Sequence, residues 1–575
     1  MAVWRLPKTE HGLSLLEQVK ATRNHTVPDT VQPDPLSVPG MKDAVTRVLH
    51  AVNKKSRIAV FGDYDCDGIC GAAVLAETLR MLGADPLVRL PRRDEGYGIR
   101  PEQIKELAER GVEMIVTVDN GVTAHKAVAA AKDAGIAMVV TDHHELNNRL
   151  PDCPVVNPKL PGSGYRDYSG AGVAYLLACA LSRACGRPDP ENLLELVSLA
   201  TVVDVCPLTG PNYYLARKGL LQIRSNPRPG IKLLAEVSRT SRFDGNSLGW
   251  QIGPRINVAG RIDNPDLAYK LITTKDIDVA TNIAENLDRM NRERQKMVKD
   301  AVDECLGKYD GSYFPVFVTE HPHGISGIVA GRVAQAVRRP VIVGANNGGI
   351  VTASGRSIGE FNLLGALDEC NRLTGLPEKY GGHRQAAGLS FDARDLPKIQ
   401  STLNEIARSR LRPEDIVEWV DLDGFIDRAP LLDEVKELDV LEPCGAENPE
   451  PVFALAGPAS ILREGDGWKL VSVNNVNFFV PSEFPVVASE TIHAAVTPYV
   501  DVYQGIERVA VRVVDVRASS VDRDSLVKAY KAWRRGEAIE GHEERIFGEL
   551  GLKKAGQNSF VNLLESKTFR KFGVL

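Results

Sequence analysis

The sequence lacks the features of membrane-spanning, disulfide-stabilised and strongly basic proteins. No apolar run in its 575 residues reaches the ~18 residues that a spanning helix needs, and the first residues show no apolar signal core. The nine cysteines form no Cys-x-x-Cys pair, so we expect reduced thiols that pack as small apolar residues. A net charge of −5 gives no sign of a globally basic surface, although a basic groove remains compatible with it. We therefore expect a cytoplasmic protein without membrane contact.

Short β-branched runs alternate with helical segments from residue 57 onwards. Arg57–Phe61, Met114–Val118 and Ala137–Thr141 are predicted strands, and Ile69–Leu82 and Ala124–Ala134 are predicted helices between them. This alternation is typical of a doubly wound, mostly parallel sheet.

The pattern changes several times along the rest of the chain. Asp276–Tyr309 combines helical apolar spacing with many charges, which predicts a long exposed helix. A second, smaller α/β unit follows, then short β-runs typical of an OB-like β-barrel. The predicted divisions are an N-terminal extension (1–55), a doubly wound α/β domain (56–275), a linker helix (276–310), a second α/β domain (311–412), an OB-fold-like domain (413–520) and a helical C-terminal module (521–575).

Acidic motifs follow all three predicted strands. They are Asp63-Tyr64-Asp65-Cys66-Asp67-Gly68, Asp119-Asn120-Gly121 and Asp142-His143-His144. Because the carboxyl ends of parallel strands meet at one edge of a sheet, we expect these motifs to line one crevice. Asp204, after the apolar run Leu199–Val203, adds a further carboxylate.

So many carboxylates repel one another unless cations neutralise them. Asp and His ligands suit Mn²⁺ or Mg²⁺ better than zinc, and a bridging carboxylate flanked by others is typical of a two-metal site acting on a phosphoryl group. One Asp after a strand is more often a helix cap or turn residue, but three motifs together favour the metal site. A redox or thiolate-metal role for Cys66 and Cys70 is a weaker alternative, because the adjacent carboxylates suit a harder metal.

These motifs resemble motifs one to three of the DHH phosphoesterases, and Thr201–Leu208 resembles motif four in its RecJ form. Further matches follow in the same order: Glu95–Gly98, Ile252–Arg261, Gly327–Arg332, Ala353–Ser357, Gly381–His383, Ala386–Gly388, Leu441–Gly445 and Asn448–Pro449. The resemblance covers about residues 40–520. It identifies 56–275 as a DHH phosphoesterase domain and 311–412 as a DHH-associated domain of a RecJ-like, single-stranded-DNA-specific exonuclease.

The resemblance implies a reaction and its residues. The reaction is 5′→3′ hydrolysis of single-stranded DNA to 5′-mononucleotides, in DNA repair and recombination, with two Mn²⁺ or Mg²⁺ ions. The implied metal ligands are Asp65, Asp67, Asp119, His143 and Asp204, with Asp119 as the bridge. Asp63 is either a ligand or a partner that orients one. His144 faces the scissile phosphate as an acid or positioning group, or is structural.

Two glycine-containing loops, Ser354-Gly355-Arg356 and Gly381-Gly382-His383, suit phosphate because glycines let amides approach an oxyanion and arginine offers a fork of donors. Arg261 is expected in a Gly-rich turn of the same kind. The resemblance implies that the terminal 5′ phosphate is held by Arg261, Ser354, Arg356 and either Arg92 or Arg93. The family usually has one His shortly before the Gly that matches Gly324, and either His321 or His323 could be that residue here.

The barrel is expected to add a groove with stacking surfaces, for which Trp468, Phe478 and Phe479 are candidates unless they pack in the core. The implied partner is single-stranded DNA with a 5′ phosphate. A single-strand-binding protein or a helicase are further candidates, the former for docking of the C-terminal module. We expect a monomer.

Two other functions remain alternatives. One is a DHH phosphodiesterase for short oligoribonucleotides or cyclic dinucleotides, against which the barrel and tail argue. The other is an inactive single-strand-binding replication scaffold, against which the full set of acidic and His positions argues.

Overall fold

The computed structural model describes residues 2–9, 12–23, 31–147, 149–262, 264–412, 415–416, 418–482, 484, 486, 488–489 and 491–518. The predicted helical module at 521–575 lies outside these residues. The strands are β1 (Ala2–Arg5), β2 (Ile58–Phe61), β3 (Leu87–Arg89), β4 (Met114–Val118), β5 (Ala137–Thr141), β6 (Val155–Val156), β7 (Val316–Thr319), β8 (Val341–Asn347), β9 (Ile350–Arg356), β10 (Lys379–Gly382), β11 (Ala386–Asp392), β12 (Glu418–Asp421), β13 (Gly424–Ile426), β14 (Phe453–Pro458), β15 (Ser460–Gly465), β16 (Trp468–Val473), β17 (Val476–Pro481), β18 (Thr491–Tyr503) and β19 (Ile506–Ala518).

The helices are α1 (Leu15–Arg23), α2 (Met41–Asn53), α3 (Cys66–Met81), α4 (Pro101–Glu109), α5 (His125–Asp133), α6 (Gly170–Ala184), α7 (Leu194–Val203), α8 (Gly210–Ser225), α9 (Pro229–Ser238), α10 (Gly245–Ser247), α11 (Gly253–Ile262), α12 (Asp266–Thr273), α13 (Ile277–Lys308), α14 (His323–Val337), α15 (Leu363–Thr374), α16 (Leu396–Arg410) and α17 (Leu432–Glu437). The chain divides into two bodies. The first body contains residues 25–293 and 438–450. The described residues of the second body lie within 1–24, 294–437 and 451–518.

The first body is built on a five-stranded sheet in the order β3-β2-β4-β5-β6, in which every neighbouring pair is parallel. Side chains alternate between the two faces of a strand. Val60 and Val116 enter the core on one face, whereas Phe61 and Ile115 enter the core on the other. Because both faces are buried, the central strands are continuous apolar runs. The three strands predicted from those runs are confirmed to within one residue.

The second body contains a five-stranded sheet in the order β10-β11-β9-β8-β7, of which only the pair β7–β8 is parallel. Two further sheets, β13-β14-β18-β19 and β15-β16-β17, follow, and β17 lies beside β19. At the other end of the chain, β1 pairs in parallel with β12, and Trp4 packs with Val420 and Ala495. The predicted α/β, long-helix and OB-like classes are thereby confirmed for the described part of the chain.

The nine cysteines are free thiols, and Cys66 and Cys70 lie buried with their sulfurs 3.9 Å apart. Within the described ranges, no helix has the length and apolar character required to cross a membrane.

Candidate metal centre

The loop after β2 and the start of α3 place three carboxylates, Asp63, Asp65 and Asp67, at the carboxyl edge of the sheet. Asp65 caps α3, because its Oδ1 accepts hydrogen bonds from the amides of Asp67 and Gly68 at 3.1 Å. Asp67 is buried, and its two oxygens accept from the amides of Gly170 and Ala171 at 2.6 and 2.7 Å. These amides begin α6, so the positive end of that helix stabilises the Asp67 carboxylate.

Asp119, at the end of β4, faces this loop in a strained backbone conformation. Its φ is 63°, which non-glycine residues seldom adopt. The residue is 2% exposed, and its Oδ1 accepts no hydrogen bond from the described residues. A side chain at Gly170 would place its Cβ 2.5 Å from the Asp119 Cβ, so glycine is required there.

His143 presents an unprotonated ring nitrogen to Asp119. Its Nδ1 donates to the carbonyl of Tyr168 at 3.0 Å, which leaves a lone pair on Nε2. Nε2 lies 3.0 Å from Asp119 Oδ1, 3.7 Å from Asp67 Oδ2 and 3.9 Å from Asp204 Oδ2. Burial, together with the charge of His144, lowers the pKa of His143 to about 4, so the ring is neutral at pH 7. Lone pairs of nitrogen and oxygen therefore converge, as they do around a cation.

His144 differs from its neighbour in charge. Its Nδ1 lies 2.8 Å from Asp142 Oδ1 and 3.0 Å from the Tyr97 hydroxyl, and that hydroxyl donates to the carbonyl of Asp119. Burial disfavours the charged ring, but the hydrogen bond and charge of Asp142 outweigh burial and raise the pKa of His144 to about 9. His144 is therefore an imidazolium beside the carboxylates at pH 7.

Asp204 closes the cluster from the C-cap of α7. Burial, and then the charge of Asp65, raise the pKa of Asp204 to about 7. The Cys206 thiol donates to Asp204 Oδ2 at 3.3 Å. Three sets of ligand atoms each lie within 4.8 Å of one another: Asp63, Asp65 and Asp119; Asp119, His143 and His144; His143, Asp204 and Cys206.

The donor set fits divalent cations with oxygen and nitrogen ligands. Burial and neighbouring carboxylates raise the pKa values of Asp63, Asp67 and Asp119, which means that these charges are costly without a counter-ion. Asp63 Oδ1, like Asp119 Oδ1, is buried without a hydrogen-bond donor among the described residues. All six predicted ligands thus come together in the first body.

Two of the predicted phosphate-binding arginines lie beside Tyr64. The Arg93 guanidinium is 5.3 Å from the Tyr64 ring centroid. Burial raises the pKa of Tyr64, and the charges of Arg93 and Arg261 partly oppose this rise, so both arginines are near the ring. Arg92 is exposed. The expected Gly-rich turn at Arg261 was wrong, because Arg261 lies on α11. A side chain at Gly260 would overlap the Tyr64 carbonyl, so this glycine permits close helix packing.

The other predicted phosphate-binding residues lie in the second body. Ser354 and Arg356 are on β9, and His383 follows β10, where its amide donates to the carbonyl of Ala386 at 2.7 Å. Arg356 is half-buried and its guanidinium lies against Gly327 of α14. His323 is the first residue of α14, whereas His321 lies 3.7 Å from Glu304.

The three aromatic candidates of the barrel differ in exposure. Phe478 is buried in the core, in agreement with the core-packing alternative. Phe479 is 61% exposed, and its ring centroid is 5.3 Å from that of Trp468.

Sequence reasoning missed four residues that shape the centre: Tyr97, Asp142, Cys206 and Asn257. Asn257 Oδ1 accepts from the Cys66 amide at 2.7 Å and so fixes the start of α3. All four lie inside motifs that were recognised, but only their contacts reveal what they do.

Comparison with known proteins agrees with this geometry. Residues 57–201 match the model of the DHH family, N-terminal domain, and residues 310–409 match the DHHA1 domain. The chain is 36% identical over 433 residues to the single-stranded-DNA-specific exonuclease RecJ of Bacillus subtilis, a match that covers 73% of this chain but only 54% of that protein. It is 35% identical over 445 residues to the RecJ of Salmonella typhimurium, covering 72% of this chain and 77% of that protein.

Solved structures agree as well. The crystal structure of RecJ in complex with Mn²⁺ from Thermus thermophilus superposes with a TM-score of 0.77 at 28% identity, covering 96% of this chain and 87% of that chain. From the shared domains, the identity to the Salmonella protein and this superposition, we conclude that the chain belongs to the RecJ family of DHH proteins.

Proposed function

We propose that this protein is a single-stranded-DNA-specific exonuclease that removes 5′-mononucleotides in the 5′→3′ direction by two-metal-ion hydrolysis, in DNA repair and recombination. The observation that carries the proposal is the convergence of Asp119 Oδ1 and His143 Nε2, 3.0 Å apart, with the carboxylates of Asp67 and Asp204 near the same ring nitrogen. A divalent cation would take the place of the proton that the buried Asp119 carboxyl otherwise needs, since burial raises its pKa. The names of the curated relatives supply the substrate class.

Two ions would be held with Asp119 as the shared ligand. Asp63 and Asp65 lie with Asp119 and would hold one ion, and His143 and Asp204 would hold the other. Asp67 would contribute from the start of α3, and two amides at the N-terminus of α6 hold its carboxylate in place. Bound Mn²⁺ or Mg²⁺ supplies activation of water and withdraws charge from the phosphoryl group.

His144 is proposed to act on the scissile phosphate. Asp142 keeps its Nδ1 protonated and the ring charged, so the imidazolium offers a positive charge and a proton to phosphate oxygen. Tyr97 limits the movement of this ring through its hydroxyl.

The 5′ phosphate is assigned to arginines. Arg93 is preferred to Arg92 because it lies over the Tyr64 ring and close enough to the acidic cluster to affect Asp63. Burial raises the pKa of Asp63, and the charge of Arg93 partly opposes this rise. Arg261 joins Arg93 at Tyr64. Ser354, Arg356 and His383 of the second body are proposed to contact phosphates of the same strand. We further propose that the enzyme is monomeric and cytoplasmic, and that its partner is a single-strand-binding protein or a helicase.

The test is a nuclease assay on 5′-labelled single strands with Mn²⁺, beside matched duplexes, RNA two- to five-mers and cyclic dinucleotides. Wild type should release mononucleotides from the single DNA strand. Asp65→Asn is the sharper variant, because an amide oxygen preserves the cap of α3 while the charge is lost, and we expect no cleavage with it. Cleavage confined to the short RNAs or cyclic dinucleotides, or strand binding without cleavage by wild type, overturns the proposal.

A further inference from the structure

The residue after Asp204 is strained and exposed. Helix α7 ends in a Schellman motif, in which the amides of Cys206 and Val205 donate to the carbonyls of Thr201 and Val202, each at 3.2 Å. Val205 occupies the left-handed position of this motif with a φ of 58°. Glycine is usual there, and a β-branched residue is strained. Its side chain is nevertheless 69% exposed, so packing does not explain why it is there.

A second exposed apolar residue lies close to the same helix end. Trp250 belongs to the π-helical turn Leu248–Ile252 and is 75% exposed, the highest value among the large apolar residues that the structure describes. The backbone of this turn packs on α7: a Cβ at Gly249 would lie 3.7 Å from Val202 Cγ1, and one at Gly253 would overlap Val203. π-helical turns often occur at functional sites.

Both residues belong to segments that meet at the end of α7, where the metal-ligand candidate Asp204 lies. Val205 follows Asp204 directly, and the glycines on either side of Trp250, Gly249 and Gly253, pack against Val202 and Val203. A strained valine that is exposed lowers stability without a gain in packing, and backbone strain of this kind is concentrated at functional sites. The open face of the tryptophan offers an aromatic surface near the same helix end. At a centre that hydrolyses phosphodiesters, the apolar part of the substrate is its nucleobase.

We infer that Val205 and Trp250 form an apolar platform on which a nucleobase of the bound strand lies while its phosphodiester reaches the metal centre. The inference rests on the proposed function and adds a base-contacting subsite to it. Every base has a flat π-face, so this contact strengthens binding without selecting sequence. The indole supplies the stacking surface, and the valine methyl groups supply a contact beside Asp204.

The test uses single strands in which one abasic residue is stepped through the first five positions from the 5′ end. Strand binding is measured by fluorescence anisotropy with Ca²⁺ in place of Mn²⁺, and KM and kcat are measured with Mn²⁺. For wild type, one abasic position should weaken binding about tenfold, within the range of a single base stack. Trp250→Ala should weaken binding of the normal strand similarly, lose sensitivity to that abasic position and retain kcat, whereas Trp250→Phe should restore most of the affinity.

Val205→Gly separates binding from folding. Removal of the strain should leave the melting temperature unchanged or higher, while affinity for the strand falls. Leu221→Ala, at another exposed apolar residue of the first body, is the control and should change neither quantity. Equal affinity of wild type and Trp250→Ala, or an abasic effect that persists in Trp250→Ala, overturns the inference and leaves the face to a protein partner. A wild type without nuclease activity contradicts the proposed function instead.

Discussion

Asp119 Oδ1 and His143 Nε2 lie 3.0 Å apart, and Nε2 is free to accept a proton or to bind a cation because the ring proton of His143 is held on the opposite nitrogen by the Tyr168 carbonyl. Burial raises the pKa of Asp119, so without a cation the carboxyl must be protonated or carry a costly buried charge, and a divalent cation removes this cost. The cost of this arrangement and its release by metal can be measured separately.

Asp119→Asn should stabilise the metal-free protein and abolish the response to metal. The Asn amide can donate to His143 Nε2 and removes one buried charge, so the melting temperature without metal should rise. In wild type, Mn²⁺ at 100 times its dissociation constant should add about 2.7 kcal/mol to the free energy of unfolding. Thermal unfolding with EDTA and with Mn²⁺ measures both effects. An unchanged Mn²⁺ shift in Asp119→Asn contradicts the assignment of this residue as the shared ligand.

Replacement of His144 should reduce the rate more than metal binding. His144→Ala removes a charged proton donor and should lower kcat about 10²–10⁴-fold, with the thermal shift by Mn²⁺ retained. Tyr97→Phe removes one hydrogen bond to that charged ring and should cost about 1.5–3 kcal/mol of transition-state stabilisation. Steady-state kinetics with single-stranded DNA checks both variants. If His144→Ala also abolishes the Mn²⁺ shift, His144 is a ligand rather than a proton donor.

Gly170→Ala should damage the centre without a change in any ligand. The added methyl group would lie 2.5 Å from the Asp119 Cβ, so the carboxylate must move. We expect at least a roughly tenfold weaker affinity for Mn²⁺, measured by isothermal titration calorimetry. Gly164→Ala, where the new methyl would meet no atom within 4 Å, should bind Mn²⁺ like wild type. Equal affinities in all three proteins would show that Asp119 is not confined by α6.

Asp439 should contribute a pH-dependent part of the stability of the first body. Arg217, Arg224 and Arg242 converge on its carboxylate, and their charges lower its pKa although burial opposes this. A carboxyl with a lowered pKa in the folded state stabilises the fold above its unfolded pKa of about 3.9 and loses this contribution as the pH falls through the folded value.

Asp439→Asn should therefore cost about 1–3 kcal/mol at pH 7, because three arginines lose their partner at a partly exposed site. The difference from wild type should shrink below about pH 4. Urea unfolding at pH 7 and pH 3 measures it, with the exposed pair variant Asp152→Asn as a control that should have little effect. A difference that grows on acidification contradicts the lowered pKa.

Much of the first body could be predicted because β2, β4 and β5 are buried on both faces and therefore appear as unbroken apolar runs. The acidic edge followed from strand direction alone, and all six ligand candidates meet there, although their metal-binding roles stay predictions. The error at Arg261 has a physical cause. Gly253 and Gly260 resemble turn residues in sequence, but they allow α11 to pack against Val203 and Tyr64.

Other features depend on contacts that have no local signature. The choice between Arg92 and Arg93 depends on the neighbouring Tyr64 ring, and the thiol of Cys206 matters only because Asp204 turns towards it. The left-handed backbone conformation of Val205 could not be predicted from the sequence, since glycine, not valine, is the usual residue at such a position.

The pairing of β1 with β12 joins residues that are separated by more than four hundred positions. During synthesis, Ala2–Arg5 leave the ribosome long before Glu418–Asp421 exist, and Leu438–Glu450 of the first body follow later still. Neither body can therefore finish folding as its early segments emerge, because each needs polypeptide that lies beyond residue 417. A nascent chain stalled before residue 418 would expose the unpaired strand β1, which is a site for aggregation or chaperone binding.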